Sequence, residues 1–349
     1  MQNQEKKLTI KERKVEASRD SFWLKCELLL EDWWGRILLV SIIFVSFSLN
    51  FFLGYFYTQQ TPTQETLAKE FPFLSKRVLV ENSNDILINF VPLRTALREY
   101  VANSKAHLGV YFEYLPSGIS VGVNDREEVR LARLSKVPLS MAILKKEEAK
   151  KLSLEEKVVL QASDLDDGFG DLWKAGAGSV FTIRELVEKS LKESDNTAYR
   201  ALFRQLTPEE VNDVYSNLEI QISFIDNNYP IVSPKSYSSI LRSLYLSSYL
   251  SKEDSQYLLE VLTGSNFDET ITRPIPKNVK VAHKVGVFDK ADSKEKVFID
   301  CGIVYIPSRP YILCLFVEDE ESVANYQMAT ISKMIYDYVS TVKSSSGEN

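Results

Sequence analysis

From Ile37 to Tyr57 the chain runs without a single charged residue, beginning Ile-Leu-Leu-Val-Ser-Ile-Ile-Phe-Val-Ser-Phe. An apolar run of roughly 20 residues is long enough to cross a bilayer as a helix. Trp33 and Trp34 stand at one end and Tyr55 and Tyr57 at the other, as expected of aromatic side chains at two lipid–water interfaces. Lys6, Lys7, Lys11, Arg13, Lys14, Arg19, Lys25 and Arg36 precede the run, against only Lys69, Lys76 and Arg77 in the segment that follows. That asymmetry predicts a cytoplasmic N-terminus and a C-terminal domain outside the cytoplasm, a single-pass arrangement in the cell membrane. The alternatives are a cleaved signal peptide or a buried core helix. The long polar lead and the lack of a small-residue cleavage site after Gly54 argue against the first. The expected organisation is a cytoplasmic segment 1–36, an anchor 37–57, a tether 58–84, a folded domain 85–342 and a loose tail 343–349.

The rest of the chain has ordinary globular composition, 44% hydrophobic and 26% charged over 349 residues. A net charge of -6 implies no nucleic-acid partner. Two histidines, with no Cys/His cluster, argue against a metal site, and no cofactor is implied. Cys26 stands far from Cys301 and Cys314. The latter two flank a turn at Pro307–Pro310 and are expected to be separate buried thiols, with a diagonal hairpin contact as the alternative.

Within the domain, 92–100 reads as a helix, and 108–114 and 119–123 as strands joined at Pro116-Ser117-Gly118. Leu131 opens a helix running to about Lys150. Ser153 is expected to cap a short helix through Leu160. Asp164 to Gly178 forms an acidic, glycine-rich loop. Thr182-Ile183-Arg184-Glu185 has capping-box spacing, and Thr207-Pro208 places proline at a first helical position. Ser233-Pro234 and Ser251-Lys252 start further helices. Strands follow at 279–285, 297–305 and 311–317, then a helix over 322–342. The expected fold is α/β (α+β): an antiparallel sheet of about five strands built from both ends, flanked by helices, with an all-helical insert at about 150–275.

Three short motifs stand in order within this layout: Ala132-Arg133-Leu134-Ser135-Lys136, Ser194-Asp195-Asn196 and Lys284-Val285-Gly286. Together they resemble the S-x-x-K, S-D-N and K-T-G signatures of class A β-lactamases and related penicillin-binding serine hydrolases. The resemblance extends from about Asp85 to Glu320 and includes the Thr182–Leu186 helix start and Asp300–Tyr305. It implies acyl transfer by a serine whose proton passes to the lysine one turn on. By resemblance, Lys136 is that lysine, Ser194 relays protons, Asn196 holds the substrate amide and Lys284 attracts the substrate carboxylate, beside Val285 and Gly286.

Three departures are visible. Arg133 stands where the nucleophile belongs, and a guanidinium stays protonated and cannot attack a carbonyl. Ser135 is two positions away, about 200° around an α-helix, and should point away from the cleft. Ser293-Lys294-Glu295-Lys296 also fits S-x-x-K, but it stands in a charged loop after the late strand and is treated as chance. Val285 lacks the hydroxyl that threonine supplies in the third motif. No acid after S-D-N matches the family's deacylating glutamate: Glu219 and Asp226 lie in other contexts, and Glu209 and Glu210 suit a helix start.

The expectation is therefore a domain that has lost acyl transfer. Its remnant site, Lys136, Ser194, Asn196 and Lys284, would bind an anion such as a cell-wall peptide carboxylate or a β-lactam-like ligand, with Arg133, Asn196, Lys284, Val285 and Gly286 lining it. Alternatively Arg133 pairs with Glu193 or Asp195 and plugs the cleft. An active hydrolase with another nucleophile, and a structural partner of another membrane protein, are the remaining readings. The oligomeric state is not readable from sequence.

Overall fold

The computed structural model describes residues 33–60, 72–73, 88–225, 229–289 and 296–341. Cys26, Asp226, Ser293, Lys294, nearly all of the expected cytoplasmic segment, most of the tether and the tail lie outside them. The chain divides into two compact units, Met1–Thr66 and Leu67–Asn349.

The first unit contributes one described helix, α1 (Trp33–Gln60, 28 residues). Its large apolar side chains from Ile37 to Phe52 are exposed. Among the described residues no helix qualifies as long and apolar enough to cross a membrane. The described side chains of α1 stop at Phe52, so the end of the expected 37–57 span is not among them.

The second unit opens with α2 (Val91–Asn103), whose Pro92 sits where the helix needs no N–H donor. β1 (His107–Tyr114) and β2 (Ile119–Val123) follow, then the two-residue strand β3 (Val129–Arg130). A 3₁₀ turn (Ala132–Ser135) leads into α3 (Lys136–Glu148). The expected helix through Leu160 is instead a turn and a short strand, β4 (Lys157–Val159), paired with β5 (Val180–Thr182). Its exposed-buried-exposed pattern and adjacent valines suit a pleated ribbon better than a helix.

α4 (Ile183–Lys192) begins with the expected capping box, Thr182 and Glu185 satisfying each other's backbone donors. α5 (Asn196–Phe203) is an element the sequence does not announce, because no turn signal separates it from α4 beyond Ser194 and Asp195. Asp195 caps α5 by accepting from the Ala198 N–H. α6 (Pro208–Asn217) precedes the hairpin β6 (Ser223–Ile225) and β7 (Tyr229–Val232), also unforeseen. α7 (Pro234–Leu246) and α8 (Lys252–Thr263) complete the insert. The insert is thus mainly, not wholly, helical. β8 (Val281–Asp289), β9 (Lys296–Val304), β10 (Tyr311–Asp319) and α9 (Glu321–Thr341) close the chain.

The five long strands form one antiparallel sheet in the order β2-β1-β10-β9-β8, so both ends of the domain build it. Side chains alternate between its faces. Tyr111, Ile299, Cys301, Cys314 and Phe316 pack with the insert, while Phe112, Leu313, Leu315 and Val317 pack with α2 and α9. Burial on both faces makes β10 read as a continuous apolar run. Cys301 and Cys314 are not separate thiols: register places them directly opposite, with Cα atoms 4.1 Å apart, joined in a disulfide. Phe73, inside the expected tether, packs edge-on against Tyr305 at 5.1 Å and donates its N–H to Gln256.

Candidate functional site

The turn that carries Arg133 is held from two sides. Leu131 donates to the Pro230 carbonyl on the β7 side. From the other side β8 approaches so closely that a Cβ on Gly286 would lie 2.6 Å from Leu134 Cδ1 and 3.2 Å from the Leu131 carbonyl. This is why glycine is needed at the third position of the last motif. Ala132 has φ +46°, a conformation that side chains rarely adopt, so the turn is bent immediately before Arg133. The 3₁₀ geometry eclipses positions three apart, stacking Arg133 on the side of Lys136. Ser135 Oγ donates back to the Ala132 carbonyl at 2.8 Å, and its hydroxyl also meets Tyr199.

Lys136 is 2% exposed. Its ammonium donates to the Ser194 carbonyl, to the Asp195 carbonyl at 3.1 Å and to Asn196 Oδ1 at 2.9 Å. An ammonium has three protons, and three acceptors meet them. Burial, then the Arg133 charge, push the Lys136 amine down to about 7, opposed by Asp195 and Asp166.

Ser194 and Asp195 form the joint between α4 and α5. Ser194 takes φ +59°, which turns its carbonyl toward Lys136. Its hydroxyl is buried and meets no partner among the described residues. The Asn196 amide is used at both ends: Oδ1 accepts from Lys136, and Nδ2 donates to Asp166 at 3.0 Å. Asp166 also pairs with Arg200. The loop bearing Asp166 is clamped further, because Asn196 N–H donates to the Phe169 carbonyl and Leu172 N–H to Asp195 Oδ2.

Lys284 is fully buried and donates to the carbonyls of Leu191 (2.7 Å) and Ser190 (3.3 Å), the C-terminal turn of α4. A cation there complements the helix dipole. Burial, with Lys136 and Arg133 adding repulsion, holds its amine well below the ordinary lysine range against Asp300. Val285 is buried at 6% exposure.

Arg133 does not pair with Glu193 or Asp195. Glu193 faces Lys189, and the Asp195 carboxylate accepts from Ala198 and Leu172. The Arg133 guanidinium instead lies 3.6 Å over the Phe169 ring. Phe169 stacks on Phe267 with centroids 5.6 Å apart, and Lys284 Nζ sits 5.7 Å from the Phe267 ring. Two loops thus meet in an aromatic pair between two cations. Burial lowers the Arg133 pKa, opposed by Asp289.

Sequence reasoning missed Asp166, Phe169 and Phe267, which come from loops with no periodic signal. It also missed His283 and Asp300, a buried pair (Nδ1 to Oδ1, 2.9 Å) immediately before Lys284. Asp300 also accepts from Thr270 and from Ile271 N–H. The signal was a histidine and an aspartate, each isolated in an apolar strand run. Asp171, Glu193 and Asp195 bring carboxylate oxygens within 4.8 Å of one another, but Asp195 is committed to two backbone donors and Glu193 to Lys189.

Comparison with known proteins agrees with the fold. The model of the β-lactamase enzyme family (Beta-lactamase2) matches residues 92–339. A β-lactamase of Bacteroides uniformis is 26% identical over 273 residues, covering 70% of this chain and 90% of that protein. β-Lactamase CTX-M-8 of Citrobacter amalonaticus is 24% identical over 229 residues, covering 60% and 77%. Among solved structures, PBP-A superposes with a TM-score of 0.66 at 20% identity, over 72% of this chain and 97% of its own. A β-lactamase of Chitinophaga pinensis does so with a TM-score of 0.65 at 22% identity, over 70% and 98%. With the family match spanning most of the chain and the sheet, insert and motif order all in place, this chain belongs to the β-lactamase enzyme family.

Proposed function

We propose that this chain is a membrane-anchored member of the family whose cleft holds an anionic group without being acylated by it. One observation carries the reading: at the nucleophile's place stands a guanidinium stacked on Phe169, and all three Lys136 protons are taken by oxygens of 194–196. No hydroxyl–amine pair of the kind that activates a serine is formed there. Ser194 is fully buried and Ser135 turns back on its own turn, so neither substitutes.

Arg133 supports the binding half of the proposal. Stacking uses the face of the guanidinium and leaves its in-plane N–H donors, which suit a carboxylate. No ion pair of Arg133 with a carboxylate occurs among the described residues. The ligand class is a carboxylate-ended cell-wall peptide or a β-lactam-like molecule, met by the in-plane N–H donors of Arg133 at the mouth. The anchor is the charge-free run 37–57, and the excess of Lys/Arg before it favours a domain outside the cytoplasm.

The test is benzylpenicillin incubation of the full chain read by intact mass, with titration by a D-Ala-D-Ala-ended peptide. The proposal expects no covalent adduct, and saturable peptide binding that is lost in Arg133→Ala. A stoichiometric adduct would restore the hydrolase reading, and its mapped position would name the nucleophile. Absence of saturable binding, or binding unchanged in Arg133→Ala, would remove the ligand and leave a role as a structural partner.

A further inference from the structure

We infer that a second, separate pocket beside the N-terminal half of α7 is a saccharide site. It encloses about 380 Å³, at the small end of the range for small-molecule sites. None of the cleft residues Arg133, Lys136, Asn196 or Lys284 lines it.

Its floor is a locked ion pair. Arg242 donates through Nε to Glu113 Oε1 at 2.7 Å and through Nη2 to Oε2, while the Tyr111 hydroxyl donates to Oε2 at 2.8 Å. Glu113 is 4% exposed, so this pair is fixed and electrically balanced. Among the described residues the remaining nitrogen, Nη1, donates only to Ser239 Oγ, at 3.4 Å, and both residues line the pocket.

The rim is balanced too. Arg126 and Lys235 stand against Glu128 and Glu219. An anion would meet the two carboxylates and a cation the two basic groups, so neither is favoured. Ile220, the one aliphatic residue of the lining, is 7% exposed and offers no apolar slot. What the pocket does offer is neutral hydrogen bonding, from the Ser236 and Ser239 hydroxyls and the Gln221 amide, with charged groups able to take two hydroxyls each. The helix end itself is not the recognition element, because the Lys235 and Ser236 N–H groups are spent on the Asp125 carbonyl and Ser233 Oγ. A small, uncharged, polyhydroxylated molecule fits this chemistry: a mono- or disaccharide.

The test places the full chain in phosphatidylcholine nanodiscs, avoiding sugar-headed detergents, and measures saturation-transfer NMR with N,N′-diacetylchitobiose and maltose as probes. Saturable binding of at least one is expected, weakened at least tenfold in Ser239→Trp, which fills the pocket, and several-fold in the exposed Gln221→Ala. Circular dichroism checks that the first variant folds; should it not, Gln221→Ala decides alone. No saturable binding of either sugar, binding unchanged in the folded variants, or inorganic phosphate displacing the sugar would each overturn the inference.

Discussion

The guanidinium of Arg133 lies 3.6 Å above the ring of Phe169, so the residue three positions before Lys136 is held by an aromatic face rather than by a carboxylate. Such contacts contribute about 0.5–2 kcal/mol, more when desolvated. Phe169→Leu keeps the bulk and removes the ring, and should lower unfolding free energy by that amount in urea melts. In Arg133→Ala the same substitution at Phe169 should cost less, a difference that a double-mutant cycle reads directly.

Arg133 also depresses the Lys136 amine, whose pKa stands at about 7 through burial first and Arg133 second. Arg133→Ala should therefore move it upward, toward but not to the ordinary lysine value, since burial remains. Titration of ¹³C-labelled lysine side chains by NMR follows this. The sign for stability follows from linkage: with the folded pKa below the unfolded one, charging Lys136 disfavours the fold. Its penalty grows as pH falls from about 10.5 to 7 and is complete below that.

Arg133→Ser asks whether the site can be acylated once a hydroxyl stands at position 133. The bent Ala132 turn, the placed Lys136 and the close approach of Gly286 all persist. A hydroxyl at position 133 should accept the penicilloyl group, giving a benzylpenicillin adduct by intact mass. That adduct should accumulate, because no carboxylate is assigned to activate the deacylating water. Failure to acylate would place the loss beyond the nucleophile.

Asp254 at the start of α8 faces Glu148 at the end of α3, which accepts from the Ser251 N–H, and burial followed by Glu148 pushes Asp254 up to about 6. A raised carboxyl pKa means that the protonated form favours the fold. The contribution of Asp254 is present at pH below about 4 and is lost as pH rises through 6, whereas the Glu148 carboxyl is shifted down and acts with the opposite sign. Asp254→Asn should gain about 1 kcal/mol at pH 7.5, after allowance for solvent screening, and nothing below pH 4. Thermal melts across pH test the crossing.

Glu113→Ala should be far costlier. It leaves Arg242 facing an emptied, buried partner site, a change of about 3–5 kcal/mol. Glu113→Gln, which retains acceptors, should cost less in the same denaturant series.

Local signals carried much of the fold. The Thr182–Glu185 capping box, proline at the first turn of α6 and α7, and the turn at Pro116-Ser117-Gly118 between β1 and β2 each depend on neighbours in sequence, and each stands where the sequence places it. The elements that escaped depend on distant partners. β4 pairs only because Val180–Thr182 returns alongside it, and α5 exists because Asp195 turns from ending one helix to capping the next. The cysteines show the same division: their burial was legible, but their direct opposition required the register of β9 and β10.

The order of residues alone shows that three motifs follow one another along the chain, that an arginine stands three positions before Lys136, and that the charge-free run 37–57 would be helical wherever water is absent. Those conclusions follow from residue chemistry and covalent spacing. Only the tertiary structure decided what Arg133 touches, that Asn196 and Lys136 satisfy each other, and that Lys284 ends on the carbonyls of α4. The reason is physical. Phe169, Phe267 and Asp166 sit in loops whose positions are set by long-range hydrogen bonds, and such contacts leave no periodicity in the chain that makes them.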